Sequence, residues 1–145
     1  MKKWVFILLM FLLLSGCKGN QEVLTDLSEF PDNSFTVSTV EKVDCYLGGG
    51  RVYSLCDDLH IADIYDGLMS ISVDSASSKK NLNIDDGDIL FCFVDEDDTN
   101  HMISFLTSEY YFDGEKYYEV RESAKLQELM YKVVDYYQME VEDGE

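Results

Sequence analysis

Apolar residues recur at helical spacing near the C-terminal end of the chain. They fall at i, i+3, i+4, i+7, i+8 and i+11, as Leu126, Leu129, Met130, Val133, Val134 and Tyr137. This continuous stripe predicts an amphipathic helix whose apolar side packs on the rest of the protein. Ser123 is the expected N-cap of the helix. The acidic tail at residues 140–145 is expected to fray.

Further upstream the apolar positions alternate, which predicts strands joined as hairpins. The stretch SFTVSTVEKVDCYL is followed, after GGG, by RVYSLC. Taking the three glycines as the loop places Val43 opposite Leu55 and Cys45 opposite Tyr53. These four side chains would share one face and form half of a core.

Two more hairpins are predicted from Asp-Gly pairs, because glycine at such a position accepts the positive φ of a type I′ turn. The segment LHIADIYDGLMSISVD would turn at Asp66-Gly67, with Ile64 opposite Met69 on one face. The segment EYYFDGEKYYEV would turn at Asp113-Gly114.

The segment DILFCFVD is apolar on both of its faces, which predicts a central strand at residues 89–94. Six or seven antiparallel strands followed by one helix predict an α+β domain over residues 34–139, with the helix covering one face of the sheet. A small, partly closed β-barrel with a C-terminal helix is the alternative.

The N-terminus carries a different pattern. Lys2 and Lys3 precede an uninterrupted apolar run at residues 4–14, which is too short to span a membrane but has the length of a signal-peptide h-region. The next residues, Leu14-Ser15-Gly16-Cys17, resemble the lipobox of bacterial lipoprotein precursors.

The resemblance implies that residues 1–16 are a signal peptide and that Cys17 is the lipid-attachment residue, acylated with chains such as palmitate. Residues 17–33 would then be the lipidated anchor and its tether. The implied location is the outer membrane if the host has two membranes, and otherwise the outer face of the cell membrane.

The chain is strongly acidic, with a formal net charge of −18. Residues 1–16 contain two lysines and no acidic residue, so their removal makes the charge more negative still. Such a surface repels nucleic acids and anionic lipid head groups, which argues against both as ligands. It attracts cations and basic proteins.

Three cysteines remain besides Cys17. The predicted register sets Cys45 and Cys56 on opposite faces of the first hairpin, which argues against a disulfide between them. A register shifted by the turn would align them, but it would also bring aspartates face to face. Cys92 is expected to be a buried, unreactive thiol in the central strand.

The sequence offers little catalytic chemistry. Its histidines are His60, expected to be packed and hydrogen-bonded on an apolar face, and His101, expected to be exposed beside the DEDDTN loop. No nucleophile-elbow, zinc-protease, Walker or dinucleotide motif is present, and no C-x-x-C pair suggests zinc. The expectation is a protein without catalytic residues and without a cofactor.

Two kinds of candidate binding residue remain. Asp95, Asp97 and Asp98 crowd one acidic loop and are weak calcium candidates, although the loop does not fit the EF-hand pattern. Adjacent tyrosines in the third hairpin must point to opposite faces of their strands. The exposed member of each pair is a candidate for protein recognition: Tyr110, Tyr111, Tyr117 and Tyr118.

Together these features favour a membrane-anchored, non-catalytic binding or adaptor module for a cationic protein. A sharper form of this hypothesis is an inhibitor or immunity protein against a basic exported enzyme or toxin. The alternatives are a structural envelope lipoprotein and a weak calcium-binding module.

Overall fold

A computed structural model of the chain describes residues 23–80, 82 and 88–144. The helices in this part are α1 (Asp58–Met69) and α2 (Ser123–Asp143). The strands are β1 (Leu24–Asp26), β2 (Val40–Tyr46), β3 (Val52–Leu55), β4 (Ser72–Asp74), β5 (Asp88–Asp95), β6 (Asn100–Leu106), β7 (Tyr110–Phe112) and β8 (Tyr117–Glu119). The signal peptide and Cys17 lie outside the described residues.

Six of these strands form one antiparallel sheet in the order β3-β2-β5-β6-β7-β8. Strands β1 and β4 form a separate two-stranded ribbon. The α+β class and the C-terminal helix are therefore confirmed. The barrel alternative is wrong, because β3 and β8 stand at opposite ends of the sheet and do not pair.

Both helices pack on the same side of the six-stranded sheet, which we call the inner face. The inner face contributes Val43, Cys45, Leu55, Phe91, Phe93, Ile103, Phe105 and Tyr111 to the core. The helices contribute Ile61, Ile64, Leu68, Leu126, Leu129 and Val133. Burial of these side chains is the main force that holds sheet and helices together.

The first and third predicted hairpins are confirmed. In the first, Val43 pairs with Leu55 and Cys45 with Tyr53, in the expected register. In the third, β7 and β8 flank a turn that contains Gly114, whose φ of 99° is accessible to glycine without steric cost.

The second predicted hairpin is wrong: most of its residues form helix α1. Buried Ile61, Ile64 and Leu68 follow helical spacing and bring one side of α1 into the core. The carboxylate of Asp57 caps the helix by accepting hydrogen bonds from the backbone N–H groups of Leu59 (2.9 Å) and His60 (3.1 Å).

Gly67 therefore lies inside a helix and not in a type I′ turn. A Cβ atom at this position would lie 2.6 Å from Cδ1 of Leu129 in α2. Glycine therefore lets the two helices approach closely, since any larger residue would force the Leu129 side chain to shift, and the local sequence does not reveal this role.

The tether predicted at 17–33 is partly folded. Within its described part, residues 23–33, β1 pairs with β4 and the side chain of Leu27 is fully buried. Asn33 is also buried, and its Nδ2 donates hydrogen bonds to the carbonyl of Leu27 and to the hydroxyl of Tyr111. The folded domain thus begins before Ser34.

Helix α2 also differs from its prediction at both ends. Ser123 is the first helical residue and Glu122 occupies the N-cap without a capping side-chain bond. The helix continues through Asp143, so residues 140–143 of the predicted acidic tail are helical. One reason is that Glu140 is tied to the β3–α1 connection, as described below.

Candidate binding face

The side of the six-stranded sheet that faces away from the helices, which we call the outer face, is a candidate binding surface. Strand alternation and register place seventeen residues on it, of which Leu106 alone is buried. Ten of them are aromatic, aliphatic or sulfur-containing: Tyr46, Val52, Leu90, Cys92, Val94, Met102, Leu106, Tyr110, Phe112 and Tyr117. The other seven are polar or charged, namely Lys42, Asp44, Ser54, Asp88, Asn100, Ser104 and Glu119, so the outer face combines apolar and aromatic side chains with charged ones.

The predicted tyrosine pairs divide between the two faces. Tyr110 and Tyr117 lie on the outer face and are partly exposed. Tyr111 lies in the core, where burial raises the pKa of its hydroxyl to about 12. Tyr118 packs against Phe30 with ring centroids 5.1 Å apart and donates a hydrogen bond to Asp113. Only one tyrosine of each pair is therefore available to a partner on the outer face.

A shallow concavity of about 320 Å³ lies on the outer face between Leu90, Ser104, Phe112 and Tyr117. Its aromatic wall is preorganised, because the rings of Phe112 and Tyr117 stack across β7 and β8 at 4.7 Å. Such a wall offers a large apolar contact area without the entropy cost of ordering flexible chains.

Carboxylates lie on the same face as these apolar side chains. Asp88 lines the concavity, Glu119 lies opposite Tyr110, and Asp44 lies opposite Cys92. Burial tends to raise the pKa of Asp44, but hydrogen bonds from Ser54 and Lys42 outweigh it and lower the pKa below its usual value. Asp44 is therefore ionised at neutral pH.

The thiol of Cys92 was expected to be buried, and this expectation is wrong. Cys92 lies on the outer face and is partly exposed, because the helices cover only the inner face of β5. Desolvation and the nearby Asp44 carboxylate raise the pKa of its thiol, which keeps it protonated and weakly nucleophilic. Cys45, Cys56 and Cys92 are all free thiols, as the register of the first hairpin predicts for the first two.

The acidic loop after β5 is organised by hydrogen bonds within the protein. Asp95 accepts hydrogen bonds from Thr39 (3.2 Å) and from Nε2 of His101 (2.8 Å), while Asp97 accepts one from the backbone of Thr99. His101 is partly buried, and its ring stacks on Phe35 at 4.2 Å. No group of three or more potential metal ligands occurs among the described residues, and the neighbouring aspartates at 85 and 86 lie outside them.

His60 occupies the first turn of α1, where it is packed and bonded in the manner expected, although on a helix. Its ring stacks on Tyr136 at 4.0 Å, and its Nδ1 lies 3.3 Å from Oε2 of Glu140. The other carboxylate oxygen of Glu140 accepts hydrogen bonds from the backbone N–H groups of Cys56 and Asp57, each at 2.6 Å. Glu140 therefore joins the end of α2 to the start of α1.

Cys56 and His60 stand near this carboxylate, but the arrangement does not activate the thiol. Partial burial, followed by the charge of Glu140, raises the pKa of Cys56. A nucleophilic cysteine requires the opposite shift. The cluster has the character of a structural connection between α1 and α2.

A second concavity, of about 420 Å³, opens where the edge of the sheet is interrupted. Strand β7 pairs only with residues 104–106 of β6, so within residues 23–80, 82 and 88–144 no strand pairs with residues 100–103 of β6 on that side. We call this gap the notch. Asp32 and Asn33 border it on the inner side, and Asp113 and Gly114 border it at the β7–β8 turn.

Neither concavity can be predicted from the sequence. The alternation of EYYFDGEKYYEV predicts that one tyrosine of each pair is exposed, but not which face of the sheet the helices cover. The notch arises from the difference in length between β6 and β7, and its inner border comes from a segment assigned to the tether.

Comparisons with known proteins do not place the chain in a family: no protein-family model, curated protein or solved structure matches it. Within residues 23–80, 82 and 88–144, no helix has both the length and the apolar character needed to cross a bilayer.

Proposed function

We propose that this protein is a lipid-anchored lipoprotein of the bacterial cell envelope whose domain is a non-catalytic binding module for a cationic protein. The anchor is Cys17, and the location is the outer membrane or, in a host with one membrane, the outer face of the cell membrane. The observation that carries the proposal is the outer face, where partly exposed apolar and aromatic side chains lie beside carboxylates.

The helices fill the inner face of the sheet and leave the outer face partly exposed. Contiguous apolar surface of this kind is typical of protein interaction sites, and aromatic residues are enriched at the centre of such sites. Tyr110, Phe112 and Tyr117 supply the aromatic contacts, and Met102, with 61% of its surface exposed, supplies an adaptable one.

The sign of the charge supports a basic partner. The formal net charge is −18, and the outer face carries the carboxylates of Asp88 and Glu119, whereas the carboxylate of Asp44 is paired with Lys42 at 2.9 Å. Complementary charge steers association and disfavours acidic competitors. It also disfavours self-association through this face, because a second copy would bring the same carboxylates.

The proposal is tested by capture with matched variants. The full-length chain is immobilised in detergent micelles, the envelope and secreted proteins of its host are passed over it at low salt, and bound proteins are eluted with a salt gradient. We expect a specific basic protein to elute, with an association rate that falls steeply as ionic strength rises.

The double variant Tyr110→Ser/Tyr117→Ser should lose about tenfold or more in affinity for the captured protein if the outer face is the binding site. The control is Tyr131→Ser/Val141→Ser, which removes two apolar side chains, 75% and 46% exposed, from α2. Equal losses in both double variants, or capture of acidic proteins only, would contradict the proposal. If the captured protein is an enzyme or toxin and loses its activity, the module is an inhibitor or immunity protein.

A further inference from the structure

No described strand pairs with β6 where it borders the notch, and the register shows which backbone groups of β6 point into it. The backbone N–H of Asp95 donates to the carbonyl of Thr99, and the Asp95 carbonyl accepts from the N–H of Asp98, each at 2.9 Å, so the hairpin between β5 and β6 is closed by hydrogen bonds at Asp95. Hydrogen-bonded and non-hydrogen-bonded pairs alternate along an antiparallel ladder. His101 and Ile103 therefore hydrogen-bond to β5.

By the same alternation, Asn100 and Met102 direct their backbone N–H and C=O groups away from β5 and into the notch. Further along β6, Ser104 and Leu106 are directed in the same way and meet Phe112 and Tyr110 of β7. In the described part of the chain, no other residue hydrogen-bonds to the backbone of Asn100 or Met102. An unpaired edge of this kind is a template for another strand.

The shape of the notch follows from the turn that ends β7. After Phe112 the chain reverses through Asp113 and Gly114, so β7 stops beside Ser104. A segment of three or four extended residues, about 10–13 Å long, matches the free length of β6 at residues 100–103.

We propose that the notch binds an extended segment of the cationic partner, which adds to the sheet as a strand beside residues 100–103. The proposal rests on the proposed function and specifies how that partner is held. In strand addition the backbone hydrogen bonds provide affinity, and the alternating side chains provide specificity.

The two sides of the notch predict the side-chain pattern of the segment. On the outer side, an added strand would contact Met102 and Phe112, which favours apolar residues. On the inner side it would lie beside Asp32, Asn33 and His101, and Asp113 lies at one end. No lysine or arginine is among the described residues that line the notch. The expected segment therefore alternates apolar and basic residues.

The carboxylates at the notch also disfavour pairing between two copies of this chain, which is a common hazard of an unpaired sheet edge. A second copy brings the same aspartates and a formal charge of −18. Asp113 stays ionised at neutral pH, because hydrogen bonds from the backbone of Lys116 and Glu115 and from the Tyr118 hydroxyl outweigh the effect of burial and lower its pKa. Charge thus favours a basic strand over a second copy.

The test uses a synthetic heptapeptide of alternating lysine and valine, and the full-length chain in detergent micelles at low salt. The control peptide has the same composition with the lysines and valines in separate blocks. We expect the alternating peptide to bind about tenfold more tightly and to slow hydrogen exchange of the Asn100 and Met102 amides by about tenfold or more.

A variant pair separates the notch from general charge attraction. Asp32→Asn should weaken binding of the alternating peptide about threefold to tenfold, whereas Asp66→Asn, which removes an exposed carboxylate from α1, should leave binding unchanged. Both variants change the net charge equally.

Two outcomes would overturn strand addition. One is equal binding of the two peptides with unchanged exchange at Asn100 and Met102, and the other is no binding of the alternating peptide at low salt. Neither outcome would contradict the proposed function, which is tested by capture of a basic protein and by the affinity of the Tyr110→Ser/Tyr117→Ser variant for it. Failure of capture with intact peptide binding would instead contradict the proposed function alone.

Discussion

Asn33 is a polar residue whose hydrogen bonds hold its segment on the folded domain, although the sequence pattern predicts a tether there. Its side chain is buried to 1% exposure and donates hydrogen bonds to the Leu27 carbonyl at 2.9 Å and to the Tyr111 hydroxyl at 3.0 Å. Within the sequence PDNS it has the character of a turn residue. Its structural partner Tyr111 is 78 positions away, which no local pattern records.

Replacing Asn33 should destabilise the fold through this contact. We expect Asn33→Ala to lower the free energy of unfolding by about 1–3 kcal/mol, because it leaves the buried Tyr111 hydroxyl and a backbone carbonyl unsatisfied. Urea denaturation measures the loss, and Asn100→Ala, at an exposed asparagine, is the control.

A double-mutant cycle identifies the origin of that loss. Tyr111→Phe should cost less in the Asn33→Ala background than in the wild-type protein, with a coupling of about 1 kcal/mol. Additive losses would mean that the two side chains do not stabilise each other, and the proposed role of Asn33 would then be wrong.

At the scale of the elements, α1 is the main departure from the sequence prediction. The segment LHIADIYDGLMSISVD contains two periodicities at once: an alternating one around Asp66-Gly67, and a helical one through Ile61, Ile64 and Leu68. An Asp-Gly pair favours a turn when the flanking residues are strands. Here Asp57 caps a helix upstream, and α2 offers a surface on which the helical side can be buried.

Gly67 provides a direct test of this helix packing. We expect Gly67→Val to lower the free energy of unfolding by about 1–3 kcal/mol, because a Cβ at this position would lie 2.6 Å from Cδ1 of the buried Leu129. Asp66→Val, at an exposed position of the same helix, controls for the low helix propensity of valine.

Thermal unfolding of the two variants distinguishes the explanations. A loss confined to Gly67→Val supports close α1–α2 packing. Equal losses in both variants would mean that the helix propensity of valine accounts for the effect and that the space beside Gly67 is not restricted.

At the scale of the whole molecule, charge and hydrophobic burial oppose each other. The core formed by the inner face and the two helices stabilises the compact state, whereas a formal charge of −18 destabilises it through self-repulsion. The described ion pairs, such as Lys132 with Asp63 and Arg121 with Asp74, offset only a few of the carboxylates.

Moderate salt should therefore stabilise the protein. We expect the melting temperature to rise by about 2–5 °C between 10 mM and 300 mM NaCl, because screening weakens the repulsion among surface carboxylates. A variant with Glu128→Gln, Asp135→Asn and Glu142→Gln should show a smaller rise. A melting temperature that does not respond to salt would indicate carboxylates that are already compensated or widely spaced.

Features with local causes could be predicted from the amino-acid pattern alone. The register of β2 with β3 follows from the alternation around the three glycines, and the β7–β8 turn follows from Asp113-Gly114. The stripe from Leu126 to Tyr137 specifies α2, and the apolar run around Phe91 specifies the central strand β5. Each depends on periodicity or turn chemistry within a few residues.

The remaining features were set by packing between segments that are distant in the chain. Residues 58–69 form a helix because their apolar side is buried against α2. Leu27 and Asn33 are buried although the segment that contains them is polar overall. The placement of both helices on the inner face left Tyr110 and Tyr117 exposed on the outer face, and the unequal lengths of β6 and β7 opened the notch. Both candidate sites therefore depend on contacts between distant segments, which a local sequence pattern cannot specify.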